Sequence, residues 1–300
     1  VAGAVNASGP RLADTPRWPP KAPRTPVPAG AWDCHFHVFT GADGRIDRAA
    51  LSPARVYDPP AVGLAEIERL HDRLGFARGV IVQGSVYGTD NAAMRAALGA
   101  GKGRYRGIAV IDADTPEREL DALAAAGVAG VRVNVLYGGG VGFAVGRAIE
   151  TRVKARGWHI QLLIDIAKPE VDWDWLERAS VPLVFDHFGH FDARLGPLSE
   201  GFRRMQRLAA EGRAWVKITG PTRISAEPAP AHADVRPLAE ALVAAAPERL
   251  VWGSDWPHVA LWGRMPDDGD LVDDLARWDL DEAMRRRVLV ENPRRLYTAG

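Results

Sequence analysis

Gly79-Val80-Ile81-Val82-Gln83 is apolar on both faces of an extended chain, and Val181-Pro182-Leu183-Val184-Phe185 shows the same pattern further along. Strands of this kind suit a parallel sheet covered outside by helices and filled inside by core layers. Outward from them, short β-branched runs alternate with longer segments rich in Ala, Leu, Glu and Arg. Strands are expected over 32–39, 79–85, 107–112, 130–136, 159–165, 182–188, 214–219 and 250–255. Helices are expected near 62–75, 90–100, 116–126, 142–156, 170–178, 199–212, 234–246 and 281–291. Such strict alternation implies an α/β fold, a (β/α)8 TIM barrel over residues 31–300, with no internal repeat or second domain. The rival is an open doubly wound sheet, which usually carries a Gly-rich nucleotide turn after an early strand. Here Gly138-Gly139-Gly140 follows the fourth strand and lacks that spacing.

Composition bounds the function. At 47% hydrophobic and 25% charged, the 300 residues can bury a sizeable core. Thirty-eight basic residues balance 38 acidic ones, so nothing points to nucleic acid or to an anionic membrane surface. No apolar run approaches the length that crosses a bilayer. Cys34 is the single cysteine, which excludes an intrachain disulfide and fits a reducing, cytoplasmic compartment. The chain begins at Val1 rather than Met, so its natural start is processed, trimmed or replaced, and a removed export signal stays open. Pro10, Pro16, Pro19, Pro20, Pro23, Pro26 and Pro28 make residues 1–30 an extended arm that wraps the barrel or stays mobile. Nothing in the composition bars a homo-oligomer.

A barrel carries its chemistry at the C-terminal ends of its strands. His35 and His37 end the first strand, and their i, i+2 spacing presents two imidazoles side by side. Asp255, ending the last strand in Gly253-Ser254-Asp255-Trp256-Pro257-His258, completes a cluster. Gln83, Ser85, Asp112, Arg132, Asn134, Asp165, Asp186, His187, Lys217 and Thr219 fall on the same rim. Of these, Asp112, Asp165 and Asp186 read as helix caps or acceptors of loop amides. His71 and His159 read as structural, and His232, among Pro and Ala, as a solvated side chain.

With His35-Phe36-His37, Asp186-His187-Phe188-Gly189 and Gly253–His258, together with Gly88-Thr89-Asp90-Asn91 and Gly130-Val131-Arg132-Val133-Asn134, the chain resembles the amidohydrolase superfamily. Within it, residues 30–297 are similar to the branch of 2-pyrone-4,6-dicarboxylate lactonases and related sugar and muconolactone lactonases. The resemblance implies hydrolysis of a lactone or cyclic acid. Asp255 becomes the base that takes a proton from water, its pKa raised by burial beside Trp252 and Trp256. His35, His37 and His187 become oxyanion donors. Arg132 and Arg223 clamp a substrate carboxylate, and His258 falls in the substrate-binding set.

Zinc-dependent superfamily members usually add a strand-five histidine or a strand-four lysine. Leu162-Leu163-Ile164-Asp165 and Val133-Asn134-Val135-Leu136 supply neither, so a metal-independent reaction is favoured. If one Zn is bound, its ligands are His35, His37, His187 and Asp255. Tyr87, Tyr137-Gly138-Gly139-Gly140, His190 and Ala260 stand where the branch has a histidine, basic residues, an arginine and an asparagine. Fewer cations imply a substrate less anionic than the pyrone dicarboxylate, held by neutral hydrogen bonds from Tyr87, Tyr137 and His190. The rival readings are a zinc-dependent hydrolase or decarboxylase, a lactone isomerase, and a binding protein on a barrel scaffold.

Overall fold

The computed structural model describes residues 9–230 and 232–298. Eight parallel strands form one sheet in sequence order: β1 Trp32–Phe36, β2 Arg78–Val82, β3 Tyr105–Ala109, β4 Val128–Asn134, β5 His159–Leu163, β6 Leu183–Phe185, β7 Ala214–Lys217 and β8 Leu250–Val251. Each expected strand is present, and the ladders end short of the expected limits, because the chain turns aside to build the site.

Closure between β8 and β1 comes from single backbone bonds rather than a ladder. Cys34 N donates to Trp252 O (2.9 Å), Asp255 N to His35 O (2.7 Å) and His37 N to Trp256 O (2.9 Å). Gly253 permits that approach, since a Cβ there would lie 2.4 Å from His35 N. The β1–β2 register shifts between Asp33 and Phe36. Asp33 therefore turns to His71 (3.2 Å) and Ser254 (2.6 Å), while His35 faces the barrel interior.

The helices are α1 Leu64–Leu74, α2 Ala92–Ala100, α3 Glu117–Ala125, α4 Phe143–Ala155, α5 Trp173–Leu176, α6 Glu200–Ala210, α7 Arg236–Ala245, α8 Asp268–Arg277, α9 Glu282–Arg286 and α10 Asn292–Tyr297, with a further single helical turn, Pro221–Ile224, after β7. A π-helical turn over 287–291 carries α9 on into α10, so the expected C-terminal helix runs longer than its pattern implied. Two departures matter. α5 is a single turn, and α8 is a helix that periodicity did not reveal.

Inside the barrel, Trp32, Cys34, Val80, Val82, Ile108, Val184, Trp215 and Val251 form an apolar plug with Tyr297. Strand periodicity places the next inward residue two positions on. From His159, Val184 and Trp215 this gives Gln161, Asp186 and Lys217, all fully buried. A polar layer thus sits directly above the plug. Such groups are costly to bury unless each is bonded.

Of the expected arm, residues 1–8 lie outside the described residues. The rest runs over the barrel surface, with Arg11–Leu12 pairing in parallel with Tyr57–Asp58. α8 anchors it: the amides of Arg24 and Thr25 donate to Asp273 (3.1 and 3.0 Å), and that of Lys21 donates to Asp267 (3.1 Å).

Candidate active site

Three imidazoles converge on one carboxylate oxygen. The Nε2 atoms of His35, His37 and His187 lie 3.9, 4.0 and 3.7 Å from Asp255 Oδ1. The backbone is shaped for this purpose. His187, Phe188, His190, Asp255, His258 and Ala260 all adopt positive φ, which non-glycine residues rarely do away from functional sites. Asp255 Oδ1 and His35 Nε2 are buried and have no hydrogen-bond partner among the described residues.

Each histidine is fixed through Nδ1. That of His37 donates to Val82 O (2.8 Å), that of His187 meets Thr219 Oγ1 (2.7 Å), and that of His35 meets Lys217 Nζ (3.4 Å). Burial pushes all three imidazoles below their ordinary pKa, so they are neutral.

Beneath them, Asp186 Oδ2 accepts from Arg132 Nε and Nη2 (3.2 and 2.9 Å) and from Gln161 Nε2 (3.1 Å). Lys217 Nζ, 3.6 Å from Asp186 Oδ1, donates to Cys34 O and Gln161 Oε1, both at 2.8 Å. Burial lowers Lys217 to about 8, partly offset by Asp186, so it stays cationic at neutral pH. The expected capping role of Asp186 is therefore corrected: it is a buried counter-ion to three strands' side chains. Asp112 and Asp165 do accept loop amides, from Ala113 and Ala167.

Arg223 Nε donates to Asp255 Oδ2 at 2.5 Å, and its Nη2 to Val259 O at 3.2 Å. This overturns the expectation that burial raises Asp255. Burial does push upward, but the charge of Arg223 and its hydrogen bond lead the opposing influences and hold the carboxyl well below its usual range.

These groups floor a narrow cavity lined by His37, Tyr57, Ser85, Arg132, Tyr137, Leu163, His187, Arg223, Asp255, Val259 and Ala260. It opens through Tyr137, Arg223 and Ala260 into a wider groove that reaches His190 and Trp262. Tyr137 and His190 thus stand at the mouth, 6.5 Å apart by ring centroids. Two expected substrate-binding residues line neither the cavity nor the groove. Tyr87 spends its hydroxyl on Phe39 O (2.5 Å), and His258 Nε2 pairs with Asp268 at the start of α8 (3.0 Å). His232 is another correction: it is 1% exposed and bonded to Asp274 (3.1 Å) rather than solvated. His71 and His159 are buried away from the cavity, in keeping with structural roles. Tyr57 and Gln161 escape a reading of barrel-strand ends, since one comes from the short strand that pairs with the arm and the other from mid-strand.

By spacing alone the site suits a metal. His35, His37 and Asp255, and separately His35, Asp186 and His187, bring ligand atoms within 4.8 Å of one another. Its charge does not. Three cations (Arg132, Arg223, Lys217) against two anions (Asp186, Asp255) leave one positive charge with neutral imidazoles. A divalent ion would raise that to three in a buried pocket, with Asp255 already sharing its charge with Arg223.

The chain belongs to the amidohydrolase family, whose model matches residues 32–298. It is 35% identical over 300 residues to a 2-pyrone-4,6-dicarboxylate hydrolase of Comamonas testosteroni, covering 94% of this chain and 96% of that one. It is 36% identical over 292 residues to a 4-sulfomuconolactone hydrolase of Rhizobium radiobacter, covering 90% and 91%. An apo crystal structure from Agrobacterium tumefaciens superposes with a TM-score of 0.83 at 31% identity, covering 93% of this chain and 99% of that one.

Proposed function

We propose that this protein is a lactonase that opens a small cyclic ester carrying one carboxylate, without a metal. The observation that carries this reading is the convergence of three neutral imidazoles and Asp255 on the floor of a pocket with one net positive charge. Relatives named as lactone hydrolases support the reaction class.

His37, whose Nδ1 is committed to Val82 O, presents an Nε2 lone pair, so water is held between it and Asp255 Oδ1. The water oxygen attacks the ring carbonyl carbon, and Asp255 takes its proton. The carbonyl oxygen gains negative charge against N–H groups of His35 and His187. Collapse breaks the bond from the acyl carbon to the ring oxygen, and Asp255 returns the proton to the departing oxygen. Arg132 and Arg223 each have only Nη1 outside the bonds to Asp186, Asp255 and Val259. One substrate carboxylate between them balances the charge, and a second would lack a partner. A carboxylate that draws on Arg223 also loosens its hold on Asp255, making that group a better base.

The test is a panel of mono- and dicarboxylated lactones assayed in chelator, with products weighed by mass spectrometry. Monocarboxylated lactones should gain one water with kcat/KM of roughly 10⁴ M⁻¹s⁻¹ or more. A product of unchanged mass would instead make the protein a lactone isomerase, and a preference for dicarboxylates would refute the charge argument.

A further inference from the structure

Neighbouring histidines on β1 face opposite kinds of partner. The Nδ1 of His37 meets a carbonyl, which only accepts, whereas that of His35 meets the Lys217 ammonium, which only donates. Lys217 spends its other hydrogens on Cys34 O and Gln161 Oε1. Asp186 Oδ1, 3.3 Å from His35 Nδ1, is the rival acceptor for a proton there, but the Lys217 ammonium faces the same nitrogen and can only donate to it. A neutral imidazole has one N–H, and a nitrogen that accepts from an ammonium is the bare one. The proton of His35 is then on Nε2, which is buried, unpartnered and 3.9 Å from Asp255 Oδ1.

We infer that Lys217 is a positioning residue that fixes His35 as the Nε2–H tautomer. By spacing His35 is a metal ligand. Lys217 makes it a hydrogen-bond donor for the lactone oxygen instead, because a protonated Nε2 has no lone pair for a metal ion. The proposal rests on the lactonase reading for the identity of that oxygen, but the tautomer itself is a property of the free protein. His37 takes the opposite tautomer and accepts from water, so one strand supplies both polarities that hydrolysis needs.

Two-bond ¹H–¹⁵N spectra of protein labelled with ¹⁵N-histidine test this without substrate, His35→Gln identifying the signal. The wild type should show His35 protonated on Nε2 and His37 on Nδ1. In Lys217→Met the His35 proton should move to Nδ1, toward Asp186. That variant should also lose about a hundredfold in kcat with little change in KM, and take up about one equivalent of zinc from zinc chloride where the wild type takes none. Protonation of His35 on Nδ1 in the wild type overturns the inference, as does an Nε2–H that persists in Lys217→Met. If the variant does not fold, the wild-type spectrum alone decides. A lactone panel that fails beside the expected spectrum sinks the substrate reading and leaves the tautomer standing.

Discussion

Asp255 and Arg223, 2.5 Å apart, set the pH behaviour of the site. A base whose folded pKa is depressed stays deprotonated as pH falls until that low value is reached. With Asp255 held well below 3.8, kcat/KM should be flat from about pH 8 down to about pH 5, where acid unfolding intervenes. Arg223→Met removes the main lowering influence, so an acid limb should rise into the measurable range. A wild-type limb near pH 6.5 would instead indicate a titrating histidine and contradict the neutral assignment. At this scale the sequence was informative about which residues come together and poor about their state. His35, His37, His187 and Asp255 stand out because they end strands. The reversal at Asp255 was hidden because Arg223 comes from a separate helical turn, Pro221–Ile224, and Asp186 passed for a cap because its partners come from β4, β5 and β7.

Elements were legible where burial imposed a period. All eight strands follow from two-sided apolar runs, and most helices from their amphipathic spacing. α8 was missed because its acids do not form a solvated face. Asp267 caps it by accepting from Gly269, Asp268 holds His258, Asp273 holds the arm and Asp274 holds His232. These are long-range partners that no local window contains. Asp273→Ala leaves two arm amides without their acceptor and should cost about 1–3 kcal/mol, read by urea unfolding. No loss of stability would mean that the arm is not anchored through α8.

Across the whole molecule, closing the barrel puts an apolar plug below and a charged layer above, with neutral histidines both beside the plug and at the mouth. Burial lowers His159 to about 3 and His190 to about 4 from an ordinary 6.5. Between those values the unfolded chain binds more protons than the folded one, so stability is full above about pH 6.5 and is lost as pH falls toward 3. Thermal midpoints should drop steadily across that window, and less steeply in His159→Phe; an equal slope would show that His159 does not titrate on unfolding. Among the described residues no helix is long and apolar enough to cross a membrane. Barrel and family were readable from the alternation and the strand-end motifs; the balance of charge in the pocket was not, since it depends on which side chains meet. That balance, together with Asp255, is what the lactonase reading depends on. The decisive measurement is the turnover of a monocarboxylated lactone by chelator-treated wild type and Asp255→Asn. Full wild-type activity with a loss of about 10²–10⁴-fold in the variant is the expected result. Activity abolished by chelator and restored by zinc, or an Asp255→Asn variant as fast as wild type, would contradict it.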